Sequence, residues 1–120
     1  MADKDVRGRA GEDRAAAYLR TQGYALLDRN WRCAQGEIDI VAARGGELVV
    51  VEVKTRRTES FGHPFEAIDR RKRDRLWRLS AAWVAAHPDA ARHRRLRIDV
   101  IGIIGDDPAH ASLEHLEGLE

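Results

Sequence analysis

The sequence predicts an α/β chain, a mixed central β-sheet flanked by helices in the order α-β-β-β-α-β-(β). Three observations lead there. First, two runs rich in β-branched residues, Gly36-Glu37-Ile38-Asp39-Ile40-Val41 and Val49-Val50-Val51-Glu52-Val53-Lys54, are joined through Arg44-Gly45-Gly46-Glu47. Gly-Gly marks a two-residue hairpin, because both positions tolerate positive φ. Second, the later run is apolar on both faces, as a central strand covered from both sides must be. Third, a stretch of helical periodicity lies on either side of the hairpin and can supply the covers.

The elements follow in order. Gly8 to Gln22 reads as a helix with Gly23 as its C-cap. Glu12, Ala16 and Leu19 share one face, so Glu12 points with the apolar stripe. Tyr24 to Trp31 reads as the first strand, and the hairpin supplies the second and third. On the third, Leu48, Val50, Glu52 and Lys54 lie on one face and Val49, Val51 and Val53 on the other. Thr55 to Pro64 reads as a polar loop holding Arg56, Arg57, Gly62 and His63. A long helix is expected from Phe65 to Ala86, stopped by His87-Pro88. Along it Ile68, Lys72, Leu76, Leu79, Trp83 and Ala86 step down one face, so Lys72 interrupts an apolar stripe. Arg94 to Ile104 gives a fourth strand broken by Asp106-Asp107-Pro108, and Ser112 to Leu116 reads as a short edge strand.

A chain of 120 residues is expected to be one domain, with its core over about 8–104 and a peripheral 105–120. The lone Cys33 has no intramolecular disulfide partner and reads as a small core or strand residue in a reducing compartment. Met1 to Arg7 contains no apolar signal-peptide core, and no apolar run approaches membrane-spanning length. The expected location is cytoplasmic, with no membrane partner. A net charge of +1 decides nothing about nucleic acid, but its distribution is uneven. Basic residues gather at Arg56-Arg57, at Arg70 to Arg75 and at Arg92 to Arg95, while acids gather at Asp106, Asp107, Glu114, Glu117 and Glu120. Eighteen arginines stand against three lysines, which makes Lys54 and Lys72 the more informative cations.

The hairpin register carries the chemistry. If Gly45 and Gly46 form the loop, Arg44 pairs with Glu47, and counting back places Asp39 opposite Glu52 and Glu37 opposite Lys54. All four then project from one face. Directly opposed side chains have Cβ atoms roughly 4.5–5.5 Å apart, and like charges there destabilise. At about 5 Å and an effective dielectric near 20 the repulsion is about 3 kcal/mol. A divalent cation turns that repulsion into attraction, and Mg²⁺ suits one or two carboxylates completed by waters and phosphate oxygens. A lysine alongside can orient water or neutralise charge developing on a phosphate. A charged strand end in solvent is the plainer alternative, and a loop one residue longer or shorter would separate the faces.

An acid on one strand and (Asp/Glu)-x-Lys on the next, after a helix bearing a Glu, resembles the PD-(D/E)XK nuclease superfamily. The elements are Glu12, Asp39 and Glu52-Val53-Lys54, with Ile38 standing where that superfamily usually has Pro. More closely, the chain resembles the YraN family of small bacterial endonuclease-like proteins. The stretches that carry this are Gly11-Glu12 with Ala16 and Leu19, Gly36-Glu37-Ile38-Asp39, Glu52-Val53-Lys54, Phe61-Gly62 with Ala67 and Lys72, and Arg97-Ile98-Asp99-Val100. The resemblance implies a restriction-endonuclease-like core similar to archaeal Holliday-junction resolvases. It also implies Mg²⁺ or Mn²⁺ at Asp39 and Glu52, Lys54 acting on the attacking water, and Glu12 as an outer or second-metal ligand. Glu37 would accept a hydrogen bond from Lys54 or order a water, and Lys72 would be auxiliary. The implied substrate is DNA, branched or otherwise structured, with Arg56, Arg57, Arg70, Arg71 and Arg73 as candidate phosphate contacts.

Plainer readings stand beside these. Glu12 also fits an exposed first-turn charge favoured by the helix dipole, and Lys72 fits a snorkelling side chain. Arg97 and Asp99 read as a structural ion pair at a strand end. The five histidines show no metal-ligand spacing and read mostly as surface residues; His63, in the loop after the Lys54 strand, is the exception to watch. Trp77 and Trp83 read as packing residues, and the run at Arg70 to Arg78 as either a solvated face or a phosphate surface. Two functions remain open, with a metal-binding structural domain that has no nucleic-acid role as a third option. One is a metal-dependent endonuclease, with a homodimer expected by analogy with resolvases. The other is a nucleic-acid-binding module of the same fold that acts through a protein partner.

Overall fold

The computed structural model describes residues 3–60 and 62–119. Phe61 of the Phe61-Gly62 pair and Glu120 of the acidic tail lie outside the described residues. The elements are α1 (Asp3–Thr21), β1 (Ala25–Cys33), β2 (Gly36–Arg44), β3 (Glu47–Arg56), a 3₁₀ turn (Pro64–Ala67), α2 (Arg70–Ala86), α3 (Pro88–Ala91), β4 (Arg95–Ile104) and β5 (Ser112–Leu116). The strands form one mixed sheet in the order β1-β2-β3-β4-β5, with β3 and β4 parallel and the other neighbours antiparallel. The predicted mixed α/β architecture and element order are present. Among the described residues no helix is long and apolar enough to cross a membrane.

Local chemistry sets most boundaries. Gly23, at φ +89°, ends α1 as expected, with Tyr24 N–H returning to Leu19 O at 3.0 Å. The helix begins at Asp3, a turn earlier than the periodicity predicts. Gly45 turns the hairpin at φ +56°, and the register runs from Arg44–Glu47 to Ile40–Val51 as counted from the sequence. β3 is central and covered on both faces. Val49 and Val51 pack with Ala15, Ala16 and Leu19 of α1, while Leu48 and Val50 pack with Leu76, Leu79 and Trp83 of α2.

The expected 65–86 helix is broken. Ile68 leaves helical geometry, and Asp69 in extended geometry caps α2 by accepting the Lys72 N–H at 2.9 Å. A side-chain acceptor three residues ahead competes with the helical backbone and restarts the helix there. Pro64 and Phe65 hold the preceding turn against Gly102 of β4, where an added Cβ would meet both at 3.2–3.3 Å. Past His87, Pro88 opens the one-turn α3 instead of simply ending the helix.

Three side chains depart from expectation. Trp77 is exposed, whereas Trp83 is buried and donates Nε1–H to Asp28 Oδ2 at 2.9 Å. Asp99 and Arg97 do form an ion pair, but in mid-strand with Asp99 fully buried. His115 is not a surface residue, since its Nε2 lies 2.7 Å from Asp99 Oδ2 and its Nδ1 2.9 Å from the Tyr18 hydroxyl.

One close approach fixes where α1 sits. Gly11 is buried against β3, and a Cβ there would lie 2.1 Å from Thr55 Oγ1. Alanine normally gains up to ~1 kcal/mol over glycine inside a helix. Here Gly11→Ala is expected to destabilise instead, by ~1–3 kcal/mol of overpacking, and adding Thr55→Ala should recover most of the loss. Urea denaturation of the single and double variants checks this; a Gly11→Ala protein as stable as the parent would contradict the close packing.

Candidate active site beside Asp39

The main-chain pairing of β2 and β3 stops one residue short of Asp39. There the Asp39 side chain takes over, and Val53 N–H donates to its Oδ2 at 2.8 Å. Because Gly11 lets α1 lie against Thr55, the next residue, Glu12, comes to the same place. Together Arg7, Gly8, Glu12, Asp39, Val53, Lys54, Thr55, Arg56 and Arg57 line a cavity of about 420 Å³. Sequence reasoning missed Arg7, because it started the helix at Gly8. The Arg7 guanidinium reaches Gly105 O (3.2 Å) and Asp106 O (2.8 Å), clamping the helix start to the end of β4.

Lys54 and Glu52, two apart on β3, share a face as expected, with Lys54 Nζ 3.1 Å from Glu52 Oε1. Glu37 does not take the expected place beside Lys54. It pairs instead with Arg32 on β1 at 3.1 Å, because β1 pairs β2 through this segment, with Arg32 facing Glu37. Glu12 Oε1 lies 3.6 Å from Arg29, whose Nη2 donates to Asp13 at 2.8 Å. That leaves Glu12 Oε1 buried without a hydrogen-bond donor. The Glu12 reading as an exposed first-turn charge is therefore set aside.

The electrostatics follow from this crowding. Burial, and next the nearby Glu52 carboxylate, push the Asp39 carboxyl up to about 7; Glu12 adds to the rise, while the Val53 N–H and Lys54 oppose it. Burial also raises Glu12, with Arg29 opposing and Glu37 reinforcing. Among the described residues no three His, Cys, Asp or Glu side chains converge to enclose an ion. The donor set nonetheless fits a hard divalent cation that takes few protein oxygens. Asp39 is held up by burial first and by its acidic neighbours next, and a buried Glu12 oxygen lacks a donor.

The remaining predicted residues divide. Arg56 and Arg57 line the cavity. Arg71 and Lys72 do not; they line a separate cleft on α2, and Arg70 and Arg73 lie on the same helix. His63 caps the 3₁₀ turn and contacts Glu114 of β5, which makes it a brace between the loop and the sheet edge.

Residues 11–103 match the Uncharacterised protein family UPF0102. The chain belongs to this family. A UPF0102 protein from Paenarthrobacter aurescens is 51% identical over 119 residues, covering 99% of this chain and 97% of the relative. One from Arthrobacter sp. is 48% identical over 119 residues, covering 99% of each. One from Beutenbergia cavernae is 46% identical with the same coverage. The matched span of UPF0102 runs from the glycine at the α1–β3 contact to the penultimate residue of β4, and so contains Glu12, Asp39, Glu52 and Lys54.

The raised Asp39 pKa has a definite consequence for this UPF0102 protein without metal. A carboxyl whose folded pKa exceeds its unfolded value favours the fold below the unfolded value, near 4. That contribution is lost as pH rises through about 7. Carbon-detected NMR titration should find Asp39 still protonated well above the ordinary aspartate range, and Glu52→Gln should move its midpoint down. An Asp39 midpoint near 4 in the parent protein would show that the carboxylates do not crowd.

Proposed function

We propose that the chain is a metal-dependent endonuclease-like protein that hydrolyses phosphodiester bonds in DNA, as the PD-(D/E)XK and YraN resemblance implies. The observation that carries this reading is the cavity in which Asp39, Glu12 and Lys54 meet Arg7, Arg56 and Arg57, with Glu52 paired to Lys54. Carboxylates crowded together call for a cation, and arginines around them suit a phosphate-bearing substrate.

In this reading Asp39 and Glu52 hold Mg²⁺ or Mn²⁺, which supplies Lewis-acid stabilisation of the charge that builds on the phosphoryl oxygens. Arg56, Arg57 and Arg7 seat the phosphates on either side of the scissile one. Lys54, steadied by Glu52, donates to the phosphoryl oxygens or the attacking water. Water attacks phosphorus and gives up a proton to solvent, the P–O bond to the leaving strand breaks, and the leaving oxygen takes a proton from solvent. Glu12 orders water at the cavity wall. Cutting both strands of a branched duplex calls for two such centres and hence two copies of the chain.

A second reading keeps the fold and the DNA but not the chemistry. It draws on the Lys54–Glu52 ion pair, which already engages one of the two carboxylates assigned to metal. In that case the chain binds nucleic acid and acts through a protein partner.

The deciding experiment is cleavage of four-way-junction, nicked and linear duplex DNA by the purified protein with Mg²⁺ or Mn²⁺. The endonuclease reading expects Asp39→Asn and Glu52→Gln to abolish cleavage and Mn²⁺ binding. Lys54→Ala should lower the rate by ~10²-fold or more with the fold retained by circular dichroism. Asn is chosen at position 39 because its amide oxygen can still accept the Val53 N–H. Full activity in either acid variant would overturn the mechanism, and salt-dependent DNA binding without cleavage of any substrate would establish the binding module.

A further inference from the structure

A second cavity, of about 340 Å³, opens along α2 and is lined by Asp69, Arg71, Lys72, Arg75 and Arg78. Its composition is unusual for a chain with a net charge of only +1. Four of the five lining side chains are cations, and among the described residues these four form no ion pair. The one acid is occupied, since Asp69 Oδ1 accepts the Lys72 N–H as the helix cap. The positive end of the helix dipole adds to the field at this end. An arrangement of this kind concentrates anions.

The geometry narrows the anion. From Arg71 to Arg78 is seven residues, about 10 Å along the helix axis. A single phosphate cannot engage cations spread over that length, whereas consecutive phosphates of one strand can. No apolar side chain lines the cleft. A peptide partner normally needs buried apolar or aromatic anchors, while contact with a phosphate backbone needs only donors and positive charge.

We infer that the α2 cleft is a nucleic-acid backbone site distinct from the carboxylate cavity, in which Arg71, Lys72, Arg75 and Arg78 take consecutive phosphates of one strand without reading sequence. It goes beyond the proposed hydrolysis and does not depend on a metal. It narrows the Arg70 to Arg78 run of the sequence reading to one flank and adds Arg75 and Arg78 to the candidate phosphate contacts. Helical spacing turns Arg70 and Arg73 toward the opposite flank with Trp77, so only part of the basic run forms this site.

The test is fluorescence anisotropy with labelled single-stranded and duplex DNA in EDTA, over a series of salt concentrations. The proteins are the parent, Arg75→Gln/Arg78→Gln and the charge-matched control Arg92→Gln/Arg94→Gln. The cleft variant should bind at least ~10-fold more weakly and lower the slope of log K against log[salt] by about two for duplex. The control should change less than ~2-fold. Thermal melting confirms that each variant is folded. Equal weakening in the control would reduce the effect to net charge and overturn the site, as would unchanged binding in the cleft variant. Displacement of the DNA by polyglutamate at matched charge would point to an acidic protein and also overturn it. Loss of cleavage in Asp39→Asn concerns the carboxylate cavity alone, so the two readings fail separately.

Discussion

A carboxylate does the work of a main-chain carbonyl where β2 and β3 part. Val53 N–H must find an acceptor once the ladder ends at Ile40–Val51, and Asp39 Oδ2 is that acceptor at 2.8 Å. The hydrogen bond fixes the carboxyl at the sheet end, under α1 and next to Glu52. The rest of the site is arranged around this point. Gly11 brings Glu12 down onto it, Glu52 holds Lys54 beside it, and Arg7, Arg56 and Arg57 close the cavity. Fold and candidate site therefore share a residue, and the charge state of Asp39 bears on both.

Burial alone does not make such a site, as the comparison with Asp99 shows. Asp99 is completely buried in mid-β4, yet its carboxyl is held below the usual range. Burial pushes it up, and hydrogen bonds from His115, Arg97 and the Gly118 N–H outweigh that push. Arg97 also binds the Tyr24 hydroxyl at 2.6 Å, and Asp99 with its partners ties β4, β5 and the residues after β5 together. Asp39 has one backbone donor and two acidic neighbours. A buried acid surrounded by donors is a fastening; one surrounded by acids is available to a cation.

Much of this was legible in the sequence, and the failures have physical causes. The Gly45-Gly46 turn fixed the register, and the alternation of Leu48 to Val51 placed β3 between two layers. Counting outward failed only beyond Ile40–Val51, where the main chains cease to pair and Glu37 turns to Arg32. Alternation assumes a continuous ladder and cannot report where one ends. The break before α2 was signalled by Asp69 ahead of Lys72, a cap that periodicity overlooks because Ile68 and Leu76 keep the spacing across it. His115 and the Gly11–Thr55 contact depend on residues distant in sequence, and no local pattern encodes such meetings.

Net charge is equally silent about how cations are distributed. A polyanion entering the carboxylate cavity meets Arg7, Arg56 and Arg57, but also Glu12 and Asp39, so attraction there is opposed until a cation or a proton offsets the acids. The α2 cleft presents Arg71, Lys72, Arg75 and Arg78 beside the single acid Asp69, so cations outnumber acids there four to one. On the proposed readings, separating the two would let one surface hold a strand by its backbone while the other keeps the crowded carboxylates.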